Sequence, residues 1–110
     1  MTSGAKAEKF ASEYLKKRGF TIIDTNWKTR TCEIDIVARK SKRLYFVEVK
    51  YRKNSDQGSG LAYITPAKLK QMTFAAYQWV SVNDWAGDYS LSAIEVSGDG
   101  FSIDQFLIDL

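Results

Sequence analysis

The apolar positions of the chain follow a helical period at the start and a strand period soon afterwards. Between residues 5 and 18, apolar side chains recur three and four positions apart, which predicts an amphipathic helix. Its buried stripe consists of Ala7, Phe10, Ala11, Tyr14 and Leu15. Three basic residues and then Gly19 follow, as expected where a helix ends.

The strand period then predicts three strands, over residues 20–28, 31–39 and 44–52. The connection between the second and third is short and strongly charged, so these two strands are expected to form an antiparallel hairpin. A two-residue turn at Ser41 and Lys42 and a four-residue loop from Lys40 to Arg43 give the same hairpin register. A loop of odd length or a β-bulge shifts that register by one residue.

The rest of the chain predicts a loop over 53–64 and a second helix over 66–80, with Thr65 as its N-cap. A strand over 89–96 and a final strand or helix over 101–110 follow. This α-β-β-β-α-β order with a tail predicts one α/β domain over residues 1–110, in which helices flank a mixed sheet.

Charged residues interrupt the hairpin strands where a buried strand should be apolar. Glu33 and Asp35 share one face of their strand, and Glu48 and Lys50 share one face of theirs. The two-residue turn places Asp35 opposite Glu48 and Glu33 opposite Lys50. Directly opposed Cβ atoms lie ~4.5–5.5 Å apart, so the two opposed carboxylates could share one cation.

Two explanations fit such a face. One is a solvated ladder of cross-strand ion pairs, such as Glu33 with Lys50. The other is a ligand pocket, because a buried charge costs several kcal/mol unless a partner or a metal compensates it. The same face also carries Val37, Leu44 and Phe46. It is therefore only partly polar, which favours the pocket.

Composition narrows the chemistry further. The chain has no histidine, which excludes Ser-His and Cys-His catalysis and histidine zinc sites. The single cysteine, Cys32, excludes an internal disulfide, so a cytoplasmic location is the default expectation. No apolar run approaches the ~20 residues of a membrane helix, and no signal peptide is apparent, so no membrane partner is expected. If the carboxylates of the hairpin bind a metal ion, their oxygen atoms favour Mg²⁺ or Mn²⁺.

The charge is unevenly distributed along the chain. Residues 1–53 carry 14 of the 16 Lys and Arg residues but only 6 of the 13 acidic ones. A basic half of this kind either steers toward a phosphate backbone or forms an ordinary solvated surface. Within it, the hairpin residues Arg39, Lys40 and Arg43 are candidates for nucleic-acid contact.

Hydrolysis of a phosphodiester needs a positioned water, neutralised phosphate charge and a stabilised leaving oxygen. Carboxylates that hold one or two Mg²⁺ ions can supply the first two, and a nearby lysine can stabilise developing charge. Asp35, Glu48 and Lys50 suit these roles, with the Val49 carbonyl as a further metal ligand. The bare spacing of one Asp and a Glu-x-Lys is common by chance in charged proteins.

Longer motifs make a family resemblance plain. They are Gly4-x3-Glu8-x2-Ala11-x2-Tyr14-Leu15-x3-Gly19-Phe20, Glu33-Ile34-Asp35 and Phe46-Val47-Glu48-Val49-Lys50-Tyr51-Arg52. Over roughly residues 4–96 the chain resembles the YraN-like family of endonucleases, within the PD-(D/E)XK nuclease superfamily, and is distantly similar to archaeal Holliday junction resolvases. The family usually has Gly before Glu-Ile-Asp, whereas this chain has Cys32, whose side chain could narrow the approach to the site.

The resemblance implies a restriction-endonuclease-like α-β-β-β-α-β core and a role for each motif residue. Asp35 and Glu48 would ligate the metal, Lys50 would be the catalytic lysine, and Glu8 would join through the metal or a water. Glu33 would be a secondary acidic residue. The candidates for phosphate contact are Lys28, Arg52 and Lys68.

The sequence thus predicts a Mg²⁺-dependent endonuclease, with Mn²⁺ as a substitute, that acts on DNA, including branched or single-stranded DNA. Two alternatives remain open: a non-catalytic nucleic-acid-binding module on a nuclease scaffold, and a structural or protein-interaction domain. The similarity to resolvases also suggests a homodimer, because cutting two strands takes two sites.

Overall fold

The computed structural model describes residues 1–53 and 63–110, which form a mixed α/β fold. The elements in chain order are α1 (Ser3–Lys17), β1 (Thr21–Lys28), β2 (Glu33–Lys40), β3 (Arg43–Arg52), α2 (Pro66–Val82), β4 (Asp88–Ser97) and β5 (Ser102–Ile108). The predicted order of elements is confirmed, and the tail forms a strand. The loop predicted over 53–64 lies almost wholly outside the described residues.

The strands form one sheet in the order β1-β2-β3-β4-β5. All neighbouring strands are antiparallel except β3 and β4, which are parallel. A parallel pair needs a crossover connection, and α2 provides it. The predicted mixed sheet is therefore confirmed, with β3, the strand of Glu48 and Lys50, at its centre.

One helix packs on each face of the sheet, as predicted. The α1 side buries Ala7, Ala11 and Leu15 of the helix against Ile36, Ala38, Val47, Ile94 and Val96 of the sheet. The α2 side buries Ala75, Ala76 and Trp79 against Ile34, Val37, Leu44 and Phe46. Neither helix within residues 1–53 and 63–110 is long and apolar enough to cross a bilayer.

Side-chain caps determine where both helices begin. The Thr2 hydroxyl accepts a hydrogen bond from the Ala5 N–H at 3.1 Å, so α1 begins at Ser3, two residues before the predicted start. The Thr65 hydroxyl accepts from the Lys68 N–H at 3.1 Å, which confirms the predicted N-cap of α2. Lys68 is thereby fixed in the first turn of α2.

Candidate active site

The hairpin register agrees with the prediction along most of its length. The pairs between β2 and β3 run from Lys40↔Arg43 to Ile36↔Val47, so the chain turns at Ser41 and Lys42. Among them is the predicted pair of Val37 and Phe46. Asp35 and Glu48 occupy the next position of each strand, beyond the last of these pairs.

At this position the Asp35 side chain, rather than the β2 backbone, makes the hydrogen bond to β3. Its Oδ2 atom accepts a hydrogen bond from the Val49 N–H at 2.8 Å. The N–H and C=O of one strand residue point to the same side of the strand, so the Val49 carbonyl also faces β2. Asp35, Glu48 and the Val49 carbonyl, the predicted metal ligands of the hairpin, therefore lie at one end of it.

The predicted pairing of Glu33 with Lys50 is wrong. Glu33 is instead the strand partner of Lys28 on β1, and its carboxylate lies 3.8 Å from the Lys28 ammonium. The cause is that β2 leaves the β3 ladder beyond Ile36 but continues to follow β1. Both side chains of the Lys28–Glu33 pair are largely exposed, so this ion pair contributes little to stability.

The surroundings of Asp35 in the folded protein disfavour the ionised form of its carboxyl group. Burial and then the neighbouring Glu48 carboxylate raise its pKa from 3.8 to about 7, and the hydrogen bond from Val49 opposes this rise. Glu8 and Glu33 raise the pKa of Asp35 further. These four residues, Glu8, Glu33, Asp35 and Glu48, are called the acidic cluster below.

Glu8 reaches the acidic cluster from α1. Burial raises its pKa, Glu33 and Glu48 add to the rise, and a hydrogen bond with the Asn26 side chain opposes it. The first turn of α1 contains no acidic residue, so Glu8 does not act as a partner of the helix dipole there. Its surroundings instead place it near the carboxylates of Glu33 and Glu48.

Lys50 lies next to a residue that the sequence did not single out. Its ammonium nitrogen is 5.5 Å from the centre of the Tyr63 ring. The buried Tyr63 hydroxyl has no hydrogen-bond partner within the described ranges. Burial raises the pKa of this hydroxyl, and the charges of Glu48, Glu95 and Asp35 raise it further. Tyr63 thus belongs to the same site, and no periodicity in its segment could have placed it there.

Arg52, expected at the phosphate, has a buried acidic partner. Its Nη1 atom lies 3.3 Å from Oε2 of Glu95 on β4, and the two side chains are only 10% and 3% exposed. Glu95 lies between the apolar residues Ile94 and Val96, as Glu48 lies between Val47 and Val49, so the same signal marks both. The sequence could therefore have identified this acidic residue.

A cleft of about 420 Å³ opens between the β1–β2 turn and the start of α2. Its lining consists of Lys28, Thr29, Thr31, Cys32, Glu33, Glu48, Lys68, Gln71 and Met72. Two predicted phosphate contacts, Lys28 and Lys68, thus face one cleft together with two members of the acidic cluster. Cys32 lines it too, where the family usually has glycine.

A smaller void of about 20 Å³ lies against both Asp35 and Glu48. A space of this size holds about one water molecule. It is therefore large enough for one small ligand beside these two residues.

The basic hairpin residues lie far from the acidic cluster. Arg39 and Lys40 are at the opposite end of β2 from Asp35, roughly 13–17 Å away at ~3.3 Å per residue. Each has a contact within the chain. Arg39 stacks on Trp85 and Lys40 on Phe20, while Arg43 forms a 2.7 Å ion pair with Asp109. A nucleic-acid contact at this end of the sheet remains a prediction separate from the cleft.

The fold and the site define a mixed α/β protein with a half-buried acidic cluster and a lysine-flanked cleft. Within that class, the chain belongs to the family described as "Uncharacterised protein family UPF0102", whose model matches residues 7–104. This confirms the YraN-like resemblance at the level of the family.

Individual relatives agree with this assignment. A UPF0102 protein of Vibrio vulnificus is 38% identical over 78 residues, 71% of this chain and 64% of the relative. The chain therefore spans less than two thirds of that relative. A UPF0102 protein of Flavobacterium psychrophilum is 40% identical over 81 residues, 74% of the chain and 68% of the relative. One of Helicobacter pylori is 37% identical over 100 residues, 91% of the chain and 85% of the relative.

Proposed function

We propose that this protein is a metal-dependent endonuclease that hydrolyses DNA phosphodiester bonds on a restriction-endonuclease-like core. The observation that carries the proposal is the pair of Asp35 and Glu48, whose charges oppose each other at one end of the hairpin. Lys50 follows on the same strand, and the cleft beside the pair has a lysine on either wall. A cation between the carboxylates and a phosphate in the cleft would balance these charges.

The donors suit a hard divalent cation. Asp35, Glu48 and the Val49 carbonyl offer oxygen atoms, and the void beside Asp35 and Glu48 has room for a small ligand. In the part of the chain that the structure describes, no three acidic or cysteine side chains converge closely enough to enclose an ion. Mg²⁺ commonly binds proteins through one or two carboxylates and retains several waters, so a full protein cage is not required.

The side chains would divide the work as follows. A Mg²⁺ or Mn²⁺ ion held by Asp35, Glu48 and the Val49 carbonyl would supply charge neutralisation at the phosphate and Lewis-acid activation of water. The Lys50 ammonium stabilises the charge that develops on the phosphoryl oxygens. Glu8, at the edge of the acidic cluster, holds the attacking water by a hydrogen bond and accepts its proton. Lys28 and Lys68 hold the flanking phosphates.

Lys50→Ala is expected to lower the rate of cleavage by about 10²- to 10³-fold, because it removes a charged donor from the transition state. The measurement is cleavage of linear, single-stranded, flapped and four-way DNA in Mg²⁺ or Mn²⁺. Lys53→Ala is the matched control, since Lys53 is exposed just beyond the end of β3. Equal rates for wild type and Lys50→Ala, or no cleavage of any substrate by wild type, would contradict the catalytic role.

Lys28→Glu is expected to weaken DNA binding. It is also expected to reduce the slope of log K against log salt concentration by about the contribution of one phosphate contact. Lys42→Glu changes the charge equally but lies in the hairpin turn, away from the cleft, and is expected to bind like wild type. Fluorescence anisotropy of a labelled oligonucleotide over a range of salt concentrations measures both. A larger loss for Lys42→Glu would move the DNA surface to the hairpin.

A further inference from the structure

Glu48 is held by an ion pair that crosses from the sheet to α2. The Lys68 ammonium nitrogen lies 2.9 Å from Oε2 of Glu48, and the two side chains are 32% and 20% exposed. Such a distance is that of a charge-assisted hydrogen bond. The proposed metal ligand therefore already has a cationic partner from another element of the fold.

The position of Lys68 is unfavourable for the helix that carries it. Lys68 follows the Thr65 cap by three residues, in the first turn of α2, where the helix dipole is positive. A cation there is repelled by the helix dipole, and this turn has no acidic residue to offset the repulsion. Helix stability therefore does not explain a lysine at this position, whereas the ion pair with Glu48 does.

The acidic cluster explains why a cation beside Glu48 is favourable. Asp35 and Glu48 each occupy the position next to the last β2–β3 pair, and both line the small void. Carboxylates gathered in this way repel each other until a positive charge is placed among them. Lys68 supplies that charge at Glu48, where a divalent cation would also have to bind.

We infer that Lys68 is an internal cation that competes with the divalent ion for Glu48 and, once displaced, binds the phosphate of the substrate. This inference rests on the proposed function, because it assumes the metal site at Asp35 and Glu48. Lys68 and Glu48 both line the cleft, so the released ammonium remains beside a bound phosphate. Metal binding and nucleic-acid binding then strengthen each other through one side chain.

Titration calorimetry with Mn²⁺ tests the competition directly. Lys68→Met is expected to lower the Kd for Mn²⁺ about 5- to 10-fold, since the ion no longer has to displace an ammonium. Lys68→Arg keeps a cation and is expected to bind no more tightly than wild type. Lys70→Met removes the same charge from an exposed position two residues further along α2, and its Kd is expected to stay within about twofold of wild type.

DNA binding tests the release. In EDTA, Lys68→Met is expected to bind a labelled oligonucleotide as well as wild type, because Lys68 is then held by Glu48. In Ca²⁺, which replaces Mg²⁺ for binding, the same variant is expected to bind about 5-fold more weakly than wild type. An equal loss with and without the ion would mean that Lys68 contacts phosphate at all times, and would overturn the release.

The two proposals fail in different ways. If wild type and Lys68→Met bind Mn²⁺ equally and Asp35→Asn abolishes binding, the metal site stands and the competition is wrong. If Lys68→Met and Lys70→Met lower the Kd equally, the effect is one of overall charge, and the competition is again wrong. If no variant binds Mn²⁺, both the competition and the metal-dependent function are wrong.

Discussion

Asp35→Asn is expected to abolish metal-dependent cleavage and, in the absence of metal, to raise the free energy of unfolding at pH 8 by up to about 4 kcal/mol. Burial and the Glu48 charge disfavour the ionised carboxylate, and the neutral amide removes that penalty. The amide oxygen can still accept the hydrogen bond from the Val49 N–H. Activity and stability are therefore expected to change in opposite directions.

The pH dependence of wild-type stability follows from the same pKa. The Asp35 carboxyl ionises at its ordinary pKa of 3.8 in the unfolded chain and at about 7 in the folded protein. Between these values the folded state holds more protons, so this carboxyl lowers the free energy of unfolding as pH rises, and its penalty is complete above pH 7. The Asn variant lacks this contribution.

Chemical denaturation in EDTA from pH 4.5 to 8.5 measures the effect. Asp104→Asn, an exposed aspartate on β5, is the matched control and is expected to follow the wild-type profile. Adding Mg²⁺ is expected to narrow the gap between wild type and Asp35→Asn, because the cation stabilises the ionised form. An Asn variant that is less stable than wild type at pH 8 contradicts the account of Asp35.

Glu95→Gln is expected to lower the free energy of unfolding by about 3–5 kcal/mol, because it removes one charge of a buried ion pair. Arg52→Met is expected to cost a similar amount for the complementary reason. The double variant Arg52→Met, Glu95→Leu removes both charges together. It is expected to recover most of the loss, since apolar replacement of a whole buried pair is often neutral.

A double-mutant cycle by chemical denaturation at pH 7 measures the coupling of the two residues. The control is the exposed pair of Glu13 and Lys16, whose side chains are both 53% exposed. Glu13→Gln is expected to change stability by less than about 0.5 kcal/mol. A loss below about 1 kcal/mol for Glu95→Gln would contradict the stabilising role of this buried pair.

Local sequence patterns predicted the hairpin part of the site well. Charges in apolar strands singled out Asp35 and Glu48, and the two-residue turn at Ser41 and Lys42 gives each of them the position next to the last β2–β3 pair. The same reasoning failed for Glu33, because it assumed that β2 follows β3 to its end. Where β2 changes its neighbour depends on the β1–β2 pairing, which the hairpin pattern does not contain.

The contacts between distant segments could not be predicted from the sequence. The 2.9 Å contact of Lys68 with Glu48 depends on how α2 is rotated on the sheet, and the apolar stripe of a helix fixes that rotation only coarsely. Tyr63 reaches Lys50 from a segment without periodicity. Glu95 differs from these, since its charge between two apolar residues was visible and needed only the criterion applied to Glu48.

Because β3 lies at the centre of the sheet, the site residues that it carries are held more stably than residues of the outer strands. This strand pairs with β4 along its whole length and with β2 as far as Val47, whereas β1 and β5 each have a single neighbour. Local opening starts where backbone hydrogen bonds are exposed, so the outer strands open at a lower free energy than the middle one. Glu48 and Lys50 remain paired with β4, and Val49 between them is hydrogen-bonded to the Asp35 side chain, so their spacing is expected to survive local opening of β1 or β5.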